Sequence, residues 1–382
     1  MIESASIIVL IFSFLVLLAK GVPVAWCIAI SSFLSMLISI PLLPAVTTIA
    51  HRMATGLDSF TLLAIPFFIL SGQLMDKGGI AHRLIAFAKA LVGALPGGLA
   101  LINIISAMLM GAIAGSAMAS ASAMGSILGP EMKREGYSTE FSAAVNITSA
   151  TTGLIIPPSN ILIVYSLASG GVSVAALFLA GYLPGILTGV LLMIVAMIWA
   201  KKKKYKTGKR SSVKEIFKTF IEGFPSLMLL VVVIGGIVAG VFTATEASAI
   251  AVLYTLILGF IYKEISVSNL PQIILSASAT TAIVMLLIAA SMGMSWIMSY
   301  ENIPQDITTF LLEISDNPFV ILLIINLILL MVGTFMDMTP AVLIFTPIFL
   351  PVVTALGMDP VHFGIVMILN LCIGLCTPPV GS

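Results

Sequence analysis

Apolar blocks of membrane-span length follow one another along this chain, joined by short polar segments. A bilayer core needs about 20 apolar residues per helix, and a window of that length predicts helices over residues 4–19, 22–40 and 60–75. The next charge-free stretch, from Ala90 to Pro130, is about twice one span. Small residues from Gly115 to Ser122 break its middle, leaving about a dozen residues before Pro130, too few for another crossing. The pattern predicts a re-entrant helical hairpin over about 95–130. A helix over about 138–168, interrupted at Pro157-Pro158, and a span over 172–200 follow. Beyond a polar joint come spans over 224–242, 247–262 and 273–298. A second hairpin over about 317–356 is broken by Gly333, Pro340 and Pro347 and carries Asp337 as its only charge. A second broken helix over about 361–382 carries Gly374 and Pro378-Pro379.

Composition makes this a membrane protein. Apolar types are 60% of the 382 residues and charged types 9%, against about 25% in soluble domains. That leaves room for roughly ten spans and no sizeable soluble domain. The fold class is an all-α polytopic membrane protein. The formal net charge of +1 gives no support to nucleic-acid binding. Glu3 stands where a signal peptide would be basic, so 4–19 reads as a retained span. Cys27, Cys372 and Cys376 have neither the number nor the spacing of a disulfide framework or a zinc site, and read as packing residues.

Position matters more than net charge. Lys201-Lys202-Lys203-Lys204-Tyr205-Lys206, followed by Lys209, Arg210, Lys214 and Lys218, places this joint in the cytoplasm by the positive-inside rule. Counting outward from it puts Lys20, Lys77, Arg83, Lys89, Lys133, Arg134 and Lys263 on the same side. Of the 17 Lys and Arg, only Arg52 falls opposite. The N-terminus is then periplasmic. Five crossings precede the joint, and five is odd, so a second copy of the unit runs inverted. The division is a first repeat over 1–200, a basic linker over 201–218 and a second repeat over 219–382. The second repeat lacks a counterpart of 172–200, so one further span is expected after Ser382.

Breaks in membrane helices free backbone groups that lipid cannot satisfy, so they persist only where protein or an aqueous site surrounds them. Paired breaks present hydroxyl and carbonyl oxygens suited to a desolvated Na+, and half-helix N-termini suited to a carboxylate. The first candidate Na+ site comprises Gly115, Ser116, Ser120, Thr152, Pro157 and Asn160. The second comprises Gly333, Thr334, Asp337, Thr339, Gly374, Thr377 and Pro378. Ser116, Ser159, Asp337 and Thr339 are candidate substrate contacts. Small residues and proline also serve plain close packing and kinking. Asp337 reads either as the N-cap of a helix beginning at Met338 or as a charge that balances Na+ or orients substrate.

At these residues the chain resembles the large membrane subunit of the tripartite ATP-independent periplasmic (TRAP) transporters. The likeness rests on Leu57-Asp58-Ser59-Phe60 with Ala64-Ile65-Pro66-Phe67-Phe68, the first hairpin tip, Ile156-Pro157-Pro158-Ser159 and Thr377-Pro378-Pro379-Val380-Gly381, and covers essentially the whole chain. It implies a bacterial inner-membrane importer of organic acids such as sialic acids or C4-dicarboxylates. Import would be coupled to Na+, need no other cofactor, and use an elevator motion. The partners implied are a small four-helix membrane subunit and a periplasmic substrate-binding protein. The absence of a P-loop motif agrees with ion coupling. A stand-alone divalent-anion/Na+ carrier, a channel and an intramembrane enzyme using Asp337, His51, His82 or His362 are the alternatives. No paired catalytic motif supports the enzyme.

Overall fold

The computed structural model describes residues 2–114, 117–208, 210–315 and 317–377, and among them every regular element is helical. In chain order these are α1 (Ile2–Ala19), α2 (Val24–Ser39), α3 (Leu42–Gly56), α4 (Ala64–Lys77), α5 (Ile80–Val92), α6 (Gly98–Ala114), α7 (Ala117–Arg134), α8 (Thr139–Ile155) and α9 (Asn160–Ala168). They continue as α10 (Val174–Lys203), α11 (Val213–Val238), α12 (Ala244–Ile261), α13 (Leu270–Tyr300), α14 (Ile303–Ile314), α15 (Pro318–Gly333), α16 (Met338–Ala355) and α17 (Pro360–Leu375).

Local chemistry sets many of the helix starts. Ser138, Ser173 and Ser212 accept backbone N–H bonds at the N-termini of α8, α10 and α11, and Thr243 with Glu246 forms a capping box on α12. Proline occupies the first turn of α14, α15 and α17, where its missing N–H costs nothing.

Among the described residues six helices are long and apolar enough to cross a membrane, or seven when α8 and α9, bent by 52° at their break, count as one. The hairpin arms α6 and α15, of 17 and 16 residues, are about 25 Å long and fall short of a bilayer core of about 30 Å. Three helices sit where the apolar pattern showed only joints. These are α3, α5 and α14, which mix charged with apolar residues. Boundaries also differ: α7 runs through Pro130 to Arg134, so the returning arm has 18 residues, and α11 starts at Val213, which puts Lys214 and Lys218 on a helix.

The chain forms two compact units that interleave in sequence, one from Met1–Leu62, Val164–Val172 and Ala279–Gly381, the other from Leu63–Ile163 and Ser173–Ser278. In the second unit α4 lies along α12, α5 packs on α6 and α11, and α6, α7, α8 and α10 surround a core that includes Leu101, Ile104, Met132, Val145 and Ala196. The Arg83 guanidinium lies 3.6 Å from the Tyr262 ring centroid.

In the first unit α1 pairs with α2, α14 with α16, and α17 with both α15 and α16. Met36, Ala45 and Ile297 form a small core there. A polar chain runs beside it: Ser39 Oγ donates to Glu301 Oε1 at 2.6 Å and shares a 2.9 Å hydrogen bond with Ser6. Glu301 is buried. Large apolar side chains on α10, including Leu183, Val195 and Ile198, are exposed, as a lipid-facing helix requires.

Candidate functional site: two broken-backbone clusters

The first cluster is built on α6, α7 and α8. α6 and α8 approach until Gly111 and Gly153 touch through their backbones, so a Cβ on either would collide with the Cα of the other. Without a hydrophobic drive between helices in lipid, such close approach is what associates them. Nearer the base, Ser149 Oγ donates to Asn103 Oδ1 at 3.0 Å and Asn103 Nδ2 donates to Asn146 Oδ1 at 3.4 Å. Asn146 Nδ2 then donates to Ala121 O of α7 at 2.8 Å. This ladder fastens both hairpin arms to the broken helix.

The break itself follows Ile155 and contains a cis peptide at Pro157-Pro158. Ser159, fully buried, donates its hydroxyl to Leu154 O at 2.5 Å and so satisfies one carbonyl the break released. Gly181 of α10 comes close to another, since a Cβ there would stand 2.5 Å from Ile155 O. Thr152 Oγ1 donates to Ser149 O at 2.6 Å, and Ser120 Oγ to Ala107 O at 3.3 Å across the hairpin. Their protons are committed to backbone, which leaves their lone pairs as acceptors. Asn160 opens α9 with its Oδ1 buried and unpartnered. Ser120, Thr152, Pro157 and Asn160 lie in one compact unit; Gly115 and Ser116 lie outside the described residues.

The second cluster repeats this plan on α15, α16 and α17. Gly333 and Gly374 are in close backbone contact, a Cβ on Gly333 standing 3.0 Å from Gly374 Cα. Asn370 Nδ2 donates to Asn326 O at 3.0 Å and Asn326 Oδ1 at 2.8 Å, while its own Oδ1 is buried without a partner. Thr334 Oγ1 donates to Met331 O at 2.7 Å and Thr377 Oγ1 to Ile373 O at 2.8 Å, the same arrangement of committed protons and open lone pairs. Asp337 occupies the N-cap position of α16 and is exposed. The backbone N–H groups of Met338 and Thr339 face it, but neither closes a capping hydrogen bond. Thr339 is half-buried in the first turn, and Pro378 lies outside the described residues.

Of the candidate substrate contacts, Ser159 belongs to one compact unit, Asp337 and Thr339 to the other, and Ser116 is not described. From sequence Gly111 and Gly153 stand at the breaks without an assigned contact, and the four asparagines are missed. A signal was present, because an amide within an apolar span is costly to bury alone and needs a partner. Among the described residues no group of three or more His, Cys, Asp or Glu could hold a metal ion. A cation at either cluster would be held mainly by neutral oxygens, the donor type that suits Na+.

Span-length helices around two broken-backbone clusters define an integral-membrane transport protein. Residues 11–382 match the family described as Tripartite ATP-independent periplasmic transporter, DctM component, and the chain belongs to that family. It is 58% identical to the uncharacterized protein YgiK of Salmonella typhimurium over 98% of this chain and 86% of that one. It is 40% identical to the sialic acid TRAP transporter large permease protein SiaM of Vibrio cholerae, over 97% of this chain and 86% of the relative. Its fold is similar to that of the Alcanivorax borkumensis YdaH transporter, with a TM-score of 0.61 at 16% identity, covering 89% of this chain and 79% of that one. The chain is therefore a multi-pass inner-membrane permease and not an enzyme. Its family implies a small membrane subunit and a periplasmic binding protein as partners.

Proposed function

We propose that this chain forms the membrane pathway of a Na+-driven importer of organic acids, of the sialic acid or C4-dicarboxylate kind. Substrate arrives from the periplasmic binding protein and crosses by elevator-type alternating access between two inverted repeats, with the N-terminus periplasmic. The observation that carries this reading is the pair of broken-backbone clusters. Each is pinned by a glycine contact and an asparagine bridge, and each offers hydroxyl oxygens whose protons are already committed.

In this reading Ser120, Thr152 and Asn160, with Gly115, Ser116 and Pro157, surround the first Na+. The unpartnered Asn160 Oδ1 is the oxygen most in need of a cation. Gly333, Thr334, Asp337, Thr339, Gly374, Thr377 and Pro378 surround the second. Asp337 supplies the one formal charge of the second cluster, and Ser116, Ser159, Asp337 and Thr339 are each proposed as substrate contacts on their own cluster. The organic acid is held by hydroxyls, helix N-termini and the bound Na+, because no basic side chain occurs from Ala90 to Pro130 or from Asn317 to Met358.

Reconstitution tests this. Proteoliposomes holding this chain and its small membrane subunit, supplied with the binding protein, are expected to accumulate labelled organic acid only under an inward Na+ gradient. Uptake by this chain alone would favour the stand-alone carrier. Uptake driven by ATP without Na+ would refute the proposal.

A further inference from the structure

At the lysine-rich end of α10 the joint to α11 turns back across the base of the first hairpin and borders a cavity of about 730 Å³. The joint is fixed there. Tyr205 stacks on Tyr137 with centroids 4.3 Å apart and accepts the Ser138 N–H at 3.3 Å. Gly208 N donates to Gly93 O at 3.2 Å, and a Cβ on Gly208 would stand 2.6 Å from that same oxygen. The crossing therefore depends on glycine, and the cavity is a built feature of α5, α6, α7, the joint and α11.

Charges of both signs line it, and only some of them are paired. Lys89 is paired with Glu131 at 2.7 Å. Lys206, Arg210, Glu135 and Glu215 also line the cavity, and none of these four is in an ion pair among the described residues. The Tyr137 hydroxyl stands near the Leu99 backbone but is buried without completing a hydrogen bond. Burial, and then the Glu135 charge, raises its pKa above the ordinary tyrosine value, so it stays a neutral donor.

Unpaired Lys and Arg select an anion with several oxygens, and a phosphate is one that the Arg fork matches with two parallel hydrogen bonds. Two unpaired carboxylates repel a second negative group and select an ammonium. A ligand with one of each satisfies all four. The run from Lys201 to Lys204, exposed beside the cavity's joint, marks the boundary where lipid headgroups lie. We propose that this cavity binds a phosphoethanolamine group carried by a phospholipid of the adjoining leaflet, with phosphate toward Lys206 and Arg210 and ammonium toward Glu135 and Glu215. Its occupancy ties the joint to the base of the first hairpin.

The test uses the full chain, delipidated and returned to nanodiscs of phosphatidylethanolamine, phosphatidylcholine or phosphatidylglycerol, with retained lipid read by native mass spectrometry. Phosphatidylethanolamine is expected to be retained over both others. Glu135→Gln and Arg210→Gln should each lower that retention about two- to fivefold, the upper part of the range for one exposed charge contact. Equal retention of the three lipids, preference for phosphatidylglycerol, or indifference to both substitutions overturns the proposal. Should a variant fail to fold, the wild-type ranking of lipids still decides. Soluble phosphoethanolamine binding as tightly as the lipid would overturn the lipid source.

Discussion

The two broken-backbone clusters meet one physical problem with different means. Both arrest a helix at membrane depth and both hold α-helical arms through a glycine contact backed by asparagine. The first is neutral: Asn103 and Asn146 pair in a ladder with Ser149, and Ser159 caps the released Leu154 carbonyl, while Asn160 Oδ1 is left without a partner. The second likewise leaves Asn370 Oδ1 unpaired, but it adds an exposed Asp337 at the N-cap position of α16. Its carboxylate faces the first N–H groups of α16, and it also brings a formal charge, which a helix start alone does not require. The contrast separates packing, which both clusters share, from charge, which one alone carries.

The sharpest way to break the comparison is to remove the closer contact. Gly111→Leu drives a side chain into the backbone of α8 and should cost about 3 kcal/mol or more, read as loss of the folded protein in size-exclusion and thermal-melt assays. Gly333→Leu failing while Gly111→Leu folds would reverse the ranking. Next is charge. Asp337→Asn keeps a good N-cap residue, so it should insert and melt normally while Na+-driven uptake falls about tenfold or more, equivalent to about 1.4 kcal/mol. Wild-type uptake with unchanged Na+ dependence would reduce Asp337 to a helix start.

Smaller effects grade the two amide bridges. Asn103→Leu removes one acceptor from Ser149 and the donor to Asn146 Oδ1 and should cost about 1 to 2 kcal/mol. Asn326→Leu removes a shorter bridge and should cost about 1 kcal/mol or less in the same melts. Equal losses would show that the ladder adds nothing to its first pair. The mildest change is Tyr205→Ala, which unstacks Tyr137 and should lower stability by about 1 kcal/mol without altering the second cluster.

Much of this arrangement is legible in the residues themselves. Long apolar runs mark α10 to α13, and Pro157-Pro158 and Gly333 mark the described breaks, because proline and glycine act on the backbone locally. The short helices α3, α5 and α14 are not legible that way, since a span-length window averages their charged and apolar faces into a joint. Nor is the interleaving of the two compact units, in which Val164–Val172 joins segments distant in sequence. The asparagine bridges fall between these cases. Each Asn is visible as a polar residue in an apolar run, but the partner is set by helix register, which only the folded backbone fixes. The missing cap on Asp337 is a matter of side-chain geometry, and the residue type pointed the other way.

The bond from Ser39 to Glu301 spans 262 positions. A ribosome adding about 5–20 residues per second reaches Glu301 roughly 13 to 50 s after Ser39. Through that interval α1 and α2 are made, yet the acceptor that completes their polar chain does not exist. The α1–α2 pair must therefore wait in the translocation machinery or the lipid with its serines bonded locally. Its final packing is an event of late synthesis, and a stalled chain ending before α13 should present α1 and α2 as a loosely held pair, open to proteases and quality control.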